Sequence, residues 1–326
     1  MSRALQLLIN SSNGVGLPYE GRFRVDDSVL EQFPEGTIVI SASRFRSSGW
    51  TNTALLHLRL SDGSEERYFL KSAPGYHGRV MMEGEYSAMT ELFKWAPELV
   101  PKPHSWGEYS LSSPEAYFFI IQYIENTGDM PDANQLCSKL AVLHFKSQSP
   151  NGQFGFDVTT CQGWVPQAVA WQRSWTAFFT QLLKHVTNMN ADVNGYWEDL
   201  DVLEKRLVAN VIPRLLDALE RNGRTVKPCS IHSDLWEGNT ATSLQDGKVF
   251  IFDSAAFYAH NEMEIGSWRC YYNRISDEDY TSAYLRHVEP SEPREEWDDR
   301  NQLYSIYYNV IYSVNHLDHG IAVRQR

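Results

Sequence analysis

The spacing of apolar residues changes along this chain, and that change constrains the fold more than any other feature. Between residues 37 and 70, short β-branched and apolar runs alternate with turn-prone clusters, which predicts successive antiparallel strands. Beyond about residue 132 the apolar residues recur at the spacing of helices. At 326 residues the chain also exceeds the size at which single cores stop growing, roughly 250–300 residues. We therefore expect an α+β protein with two packed lobes.

Three segments follow from this pattern. Residues 1–36 form an N-terminal extension, residues 37–125 an N-lobe built on the small antiparallel sheet, and residues 126–326 a larger, mainly helical C-lobe. The N-lobe is expected to hold one helix at residues 82–96. It ends in a central strand at residues 116–124, because the run AYFFIIQYI is apolar, aromatic and β-branched.

The C-lobe pattern predicts helices separated by two short strands. Three leucines have the spacing of one helix: Leu136, Leu140 and Leu143. A second helix is predicted at residues 175–185. An apolar stripe near the end of the chain predicts a core helix and consists of Leu303, Ile306, Tyr307, Val310, Ile311, Val314 and Leu317. Between these helices, residues 228–232 and 249–252 have the composition of strands, and each run ends at a polar cluster.

Composition excludes several classes of partner. Acidic residues outnumber basic ones 41 to 29, whereas nucleic acids are bound by a surplus of Lys and Arg, so no nucleic-acid partner is expected. The 4 cysteines form no C-x-x-C pair, which favours reduced thiols over zinc ligands or disulfides. No apolar stretch approaches the length of a membrane span, and the N-terminal run is too short and polar for a signal peptide. We expect a cytoplasmic protein without membrane contact, as a monomer or homodimer.

Three oxygen-bearing side chains follow the two short strands of the C-lobe. Asp234 and Asn239 lie in the segment HSDLWEGN directly after the first strand, and Asp253 follows the second, 14 residues beyond Asn239. Phosphoryl transfer needs an acceptor hydroxyl that gives up its proton and Mg²⁺ held against the phosphates of ATP. Asp234 is the candidate base, and Asn239 and Asp253 are the candidate Mg²⁺ ligands because both offer hard oxygen atoms. An Asx-rich turn between two strands is the structural alternative.

The same spacing predicts the bilobal protein-kinase-like fold. In protein kinases an H-x-D-x-x-x-x-N loop precedes a metal-binding Asp, and a Lys–Glu ion pair in the N-lobe grips the nucleotide. Lys71 ends the apolar run RYFLK and is the candidate for this lysine. Glu85 is its predicted partner in preference to Glu83, because the apolar residues that follow Glu85 suit the inward face of the helix. A solubilising charge on an edge strand is the alternative for Lys71.

Further candidates for the nucleotide site lie on either side of Lys71. Ser48, Gly49 and Asn52 occupy the place of a phosphate-binding loop, where small residues can present backbone N–H groups to phosphate. One glycine is a weak indication, and a plain hairpin turn fits equally well. At the end of the predicted central strand, Gln122 and Ile124 are assigned to the nucleotide site.

These motifs resemble those of the fructosamine kinase (ketosamine 3-kinase) family, which is related to the aminoglycoside and choline kinases. Residues 232–239 are similar to the family's H-G-D-L-W-x-G-N, and residues 252–264 to its F-D-P-A followed by Y-G-H-x-E-x-E. Shorter matches are FGF at residues 154–156, C-x-G at residues 161–163 and Pro166-Gln167. The resemblance extends from about residue 37 to the last helix.

The resemblance implies an activity and a set of substrate contacts. The family transfers the γ-phosphate of ATP, with Mg²⁺, to the 3-hydroxyl of a small or protein-linked ketosamine such as a fructosamine or ribulosamine. The product is unstable and releases the sugar, which amounts to protein deglycation. The candidate substrate-binding residues are Trp236, His232, Trp164 and His260. For His260, beside two glutamates, a structural hydrogen-bonding role is the alternative.

The chain also departs from the family pattern. Ser233, Ser254 and Ala259 stand where Gly, Pro and Gly are usual, and residues 169–175 lack the Asn and Asp that commonly precede the two tryptophans there. The second departure leaves open a different small alcohol as acceptor, such as an aminoglycoside or choline. The weak phosphate loop leaves open a nucleotide-binding pseudokinase without catalysis.

Overall fold

A five-stranded antiparallel sheet forms the N-terminal part of the protein. The computed structural model describes residues 23–45, 49–276 and 278–317. The strands are β1 (Ile38–Arg44), β2 (Asn52–Arg59), β3 (Glu65–Pro74), β4 (Pro103–Glu108) and β5 (Ala116–Gln122). Their order across the sheet is β1-β2-β3-β5-β4, which places β3 in the centre. The predicted sheet is confirmed.

Strand β4 was not anticipated from the sequence. The prolines at 101 and 103 predicted a break, but Pro103 is the first residue of β4, which is an edge strand. Proline lacks an N–H, so it is tolerated at the first residue of an edge strand, where no ladder bond is lost.

Two helices cover the two faces of this sheet. The short helix α1 (Asp27–Leu30) is capped by the Asp26 side chain and buries Val29 in the same apolar cluster as the β2 side chains Leu56 and Leu58. The opposite face is covered by α2 (Gly75–Trp95), which packs on β3, β4 and β5. Helix α2 begins seven residues before its predicted start at residue 82.

Helix α2 also rests on the C-lobe. A Cβ atom at Gly84 would lie 2.5 Å from the carbonyl oxygen of Thr159, so only glycine permits this close approach. Further along the helix, the Glu91 carboxylate accepts hydrogen bonds from the Tyr258 hydroxyl at 2.5 Å and from the Trp95 indole at 2.6 Å. The contacts with Thr159 and Tyr258 fix the helix that carries Glu85 relative to the C-lobe.

The C-lobe is mainly helical, as predicted. Its α-helices in the described ranges are α3 (Ala133–Lys146), α4 (Trp175–Asn194), α5 (Glu198–Arg206), α6 (Ile212–Leu216), α7 (Glu278–Leu285) and α8 (Trp297–Asn315). A 3-10 segment spans Asn261–Arg269. Short antiparallel pairs join β6 (Cys161–Gln162) to β7 (Val165–Pro166), β8 (Cys229–Ile231) to β11 (Phe257–Ala259), and β9 (Thr240–Thr242) to β10 (Val249–Ile251).

The core agrees with the predicted apolar stripes apart from one end. All three leucines of α3 are fully buried. In α8 the stripe is buried from Leu303 to Val314, with Ile306 partly buried. Leu317 lies beyond the end of the helix with 41% of its surface exposed, so its place in the predicted stripe was wrong.

Two further expectations bear on the chain as a whole. All four cysteines are free thiols, as expected. Among the helices in the described ranges, none has both the length and the apolar character needed to cross a lipid bilayer. The oligomeric state and the cellular location stay predictions.

Candidate active site

Residues from both lobes line a cleft of about 830 Å³. The N-lobe contributes Lys71 from β3 and Glu85 from α2, and the C-lobe contributes Asp234, Asn239 and Asp253. Residues far apart in the sequence are thus brought together as predicted. Gln122 and Ile124, at the end of β5 and just after it, line the same cleft.

Lys71 lies between two carboxylates. Its Nζ atom is 2.7 Å from Glu85 Oε1 and 2.5 Å from Asp253 Oδ1, and the residue is only 7% exposed. Burial alone would lower the pKa of Lys71, but the charges of Asp253 and Glu85 outweigh it and raise that pKa above its ordinary value. The lysine is therefore a fixed cation at the wall of the cleft. Glu83, the competing candidate, instead pairs with Arg79 at 3.5 Å.

Asp234 receives a hydrogen bond on each carboxylate oxygen. Gln162 donates from Nε2 to Oδ1 at 3.0 Å, and Asn239 donates from Nδ2 to Oδ2 at 3.1 Å. Burial raises the pKa of Asp234 to about 7; the hydrogen bond from Gln162 opposes this rise and the nearby charge of Asp253 adds to it. A half-buried carboxylate with its orientation fixed by two donors is suited to accept a proton from a substrate hydroxyl.

Asn239 connects the segment that carries Asp234 to the segment that carries Asp253. Its Nδ2 also donates to the Asp234 carbonyl at 2.8 Å. Because an amide nitrogen can only donate, these bonds fix the orientation of the group and leave Oδ1 as its acceptor atom. The Asn239 carbonyl in turn accepts from the N–H of Phe252, next to Asp253, at 3.0 Å. Asp253 itself has φ of +60° in the left-handed region, a conformation that Asp tolerates better than most residues.

The buried His232 side chain bridges the chain segments that follow β8 and β10. Its Nδ1 accepts from the Asp234 N–H at 3.3 Å, so Nε2 carries the proton and donates to the Phe252 carbonyl at 2.9 Å. Burial lowers the pKa of His232, which keeps the ring neutral in this role. The His232 carbonyl accepts from the Ser254 hydroxyl at 3.1 Å, a bond that the proline usual in the family could not donate.

Glu264 supports the catalytic loop, residues 232–239, where that loop begins. Its two carboxylate oxygens accept from the N–H groups of His232 at 2.5 Å and Ser233 at 3.0 Å, and all three residues are fully buried. Ser233 has φ of +64°, in the left-handed region where the family's usual glycine is at ease. The carboxylate thus stabilises a strained turn directly before Asp234.

The predicted phosphate loop is only partly described. Ser48 lies outside the described residues. Gly49 and Asn52 are described and exposed, and neither is among the described residues that line the cleft. Asn52 begins β2 and pairs with Ser72, while the neighbouring Thr51 and Thr53 do line the cleft.

Of the four candidate substrate residues, only Trp236 faces the cleft. It is 40% exposed and lines the cavity. His232 is completely buried under the loop, so its assignment to substrate contact was wrong. His260 is likewise buried, between the hydroxyls of Tyr304 and Ser291, which agrees with the structural alternative for this residue.

Trp164 also belongs to the core. It is 8% exposed and packs beside Trp50, with 6.4 Å between ring centroids. The prediction that Trp164 contacts the substrate directly was therefore also wrong. Gln162, two residues earlier, was not singled out from the sequence because its contact with Asp234 joins residues 72 positions apart.

Together, the sheet, the helical lobe and the cleft define a two-lobed protein-kinase-like fold. A crystal structure of a Haemophilus somnus 129PT protein, provisionally named fructosamine-3-kinase, matches with a TM-score of 0.72 at 18% identity, over 92% of this chain and 95% of that one. An aminoglycoside phosphotransferase matches with a TM-score of 0.56 at 12% identity, over 92% of this chain and 94% of that one. At these identities the likeness shows the fold.

The sequence places the chain more narrowly. The profile of the family described as fructosamine kinase matches residues 30–319, and the chain belongs to that family. The resemblance inferred from the motifs is confirmed.

Relatives with curated names agree with this family. Protein-ribulosamine 3-kinase, chloroplastic, of Oryza sativa subsp. indica is 30% identical over 245 residues, which is 74% of this chain and 65% of the relative. Ketosamine-3-kinase of Mus musculus is 28% identical over 281 residues, covering 79% of this chain and 84% of the relative. The chain thus spans just under two thirds of the length of the rice relative.

Proposed function

We propose that this protein transfers the γ-phosphoryl group of ATP to the 3-hydroxyl of a ketosamine, a fructosamine or ribulosamine adduct, and so acts in protein deglycation. Membership of the fructosamine kinase family and the names of the relatives support this substrate class. The observation that carries the proposal is the convergence in one cleft of a buried cation, Lys71, with the oxygen-bearing side chains of Asp234, Asn239 and Asp253. This set supplies the groups that phosphoryl transfer requires.

The cleft fits a magnesium ion by the chemistry of its donors. Asn239 offers an amide oxygen and Asp253 a carboxylate whose side chain is 41% exposed. The described residues contain no cluster of three or more His, Cys, Asp and Glu side chains that could hold a metal by themselves. Mg²⁺ suits such a site because it binds through one or two protein oxygens and completes its shell with water and phosphate oxygens. When bound, it would neutralise charge on the β- and γ-phosphates.

The residues of the chain then divide the remaining work. Lys71, held by Glu85, binds phosphate oxygens of the nucleotide, and the cleft positions the acceptor for in-line attack. The acceptor oxygen forms a bond to the γ-phosphorus while the bond from that phosphorus to the bridging oxygen of ADP breaks. Asp234 takes the hydroxyl proton of the acceptor. Trp236 provides an apolar face at the cleft for the sugar.

A panel of acceptors tests the substrate class. ATP consumption is measured with fructosamines, ribulosamines, an aminoglycoside and choline. Acceptor-dependent turnover is expected with at least one ketosamine and little or none with the other two. Absence of turnover with every ketosamine would reject ketosamines as the substrate class. Turnover with the aminoglycoside or choline alone would assign that acceptor in their place.

A single substitution tests the catalytic role. Asp234→Asn is expected to lower kcat by ~10²–10⁴-fold, the usual contribution of a positioned general base, with little change in Mg·ATP affinity. Asp246→Asn, at an exposed turn of the C-lobe, is the matched control and should leave kcat unchanged. Equal activity of Asp234→Asn and the unaltered protein would remove Asp234 from the mechanism.

A further inference from the structure

The β6–β7 hairpin places a glutamine against the candidate base. Gln162 lies at the end of β6, and its Nε2 donates to Asp234 Oδ1 at 3.0 Å. Asn239 holds the other carboxylate oxygen. With both oxygens held, the carboxylate plane cannot rotate freely, and the lone pairs left on each oxygen have fixed directions. In the C-x-G match at residues 161–163, position 162 is the unspecified residue.

The hairpin that carries Gln162 is itself locked in place by the last helix. At the end of α8, Asn315 donates from Nδ2 to the Gln162 carbonyl at 3.0 Å and accepts on Oδ1 from the Trp164 N–H at 3.2 Å. Between them, Gly163 has φ of +59°, and a Cβ atom there would lie 2.4 Å from Asn315 Oδ1. One side-chain amide thus brackets the two-residue turn, so the backbone of Gln162 has little freedom.

The second end of the Gln162 amide is not satisfied by the protein. Its Oε1 is buried, and within the described part of the chain it has no hydrogen-bond partner. Turning the amide over would not help, because Oε1 would then face the carboxylate of Asp234. A buried acceptor without a donor opposes stability, and such groups in folded proteins call for a functional explanation. The orientation of Gln162 therefore serves the carboxylate rather than the core.

We infer that Gln162 is a positioning residue for phosphoryl transfer, which holds the Asp234 carboxylate in the orientation that meets the acceptor hydroxyl. The inference rests on the proposed function, since it assigns Gln162 to the same reaction. Gln162 does not itself contact the nucleotide or the acceptor; it acts through Asp234. Asn315 supports it at one remove by holding the hairpin.

The test replaces the amide by an apolar side chain of similar size. Gln162→Met removes the donor to Asp234, and misorientation of a reacting group is expected to lower kcat ~10- to 100-fold. The KM for ATP and the affinity for Mg·AMP-PNP should stay within about twofold, and the thermal midpoint should not fall. Gln162→Asn retains an amide on a shorter chain and should recover part of the rate. Gln172→Met is the matched control, because Gln172 donates to Gln181 at 2.8 Å outside the cleft.

The outcomes separate this inference from the proposed function. Rates are expressed per nucleotide-binding molecule, so partial unfolding of a variant does not count as lost catalysis. If the unaltered protein phosphorylates no acceptor, the proposed function fails and the role of Gln162 in that reaction fails with it. If it is active and Gln162→Met has a kcat within twofold of it, or if Gln172→Met loses as much, the positioning role is overturned. A rise in the KM for ATP with unchanged kcat would also overturn it.

Discussion

Replacing Glu264 tests whether the catalytic loop depends on one buried carboxylate. In Glu264→Leu the N–H groups of His232 and Ser233 lose their acceptor while remaining fully buried. An unpaired buried donor costs about 1–3 kcal/mol, so two of them should lower the free energy of unfolding by about 2–6 kcal/mol. Typical proteins have about 5–15 kcal/mol in total, so this substitution removes a large fraction. Glu264→Gln keeps one acceptor oxygen and should lose roughly half as much.

Urea denaturation with linear extrapolation measures these differences at pH 7. The matched control is Glu98→Gln, since Glu98 has a side chain 76% exposed and pairs with Lys248 at 3.3 Å on the surface. A substitution of that kind usually changes stability by no more than about 0.5 kcal/mol. The reasoning is refuted if Glu264→Leu loses less than about 1 kcal/mol, or if Glu264→Gln loses as much as Glu264→Leu.

Three further predictions concern other parts of the molecule. Glu85→Gln should lower kcat/KM for ATP roughly 10- to 100-fold, because Lys71 keeps only Asp253 as a charged partner. This loss corresponds to the ~1.5–3 kcal/mol of a hydrogen bond to a charged group, and an unchanged kcat/KM for ATP would contradict it. Burial lowers the pKa of His260 to about 4, below the ordinary 6.5, so the unfolded chain takes up this proton first and stability should fall as the pH drops from 6.5 towards 4. The free energy of unfolding measured with urea should fall by about 2 kcal/mol less between pH 7 and pH 5 in His260→Asn than in the unaltered protein. Parallel curves for the two proteins would exclude His260 as a source. Gly84→Val should reduce the thermal midpoint through overpacking that costs about 1–3 kcal/mol, and a midpoint equal to that of the unaltered protein would show that the helix can shift.

The order of elements was predictable because most of them carry a local period. The start of α2 was not, because residues 75–81 include Gly75 and Gly78, which weaken a helical pattern. The structure gives the reason for one of them: a Cβ atom at Gly78 would lie 2.3 Å from the Ala73 carbonyl oxygen. A glycine required by close approach looks the same in a sequence as one required by a turn.

The candidate site divides in a similar way. Asp234, Asn239 and Asp253 could be grouped from the sequence because they follow two short predicted strands at a fixed spacing. Contacts between distant segments leave no such pattern, so the support that Gln162 gives to Asp234 was missed. The burial of His232 was not predictable either, because a histidine beside the base can contact the substrate or lie under the loop as a neutral ring. The structure shows that His232 is buried under the loop.

The seating of α2 on the C-lobe has a consequence for control of the protein. In protein kinases the position of the corresponding helix controls the Lys–Glu pair. Here Gly84 contacts Thr159, and Glu91 accepts a hydrogen bond from Tyr258. The contacts that hold α2 on the C-lobe therefore also hold Glu85 beside Lys71. Outward movement of the helix would have to break both contacts before it could separate Lys71 from Glu85.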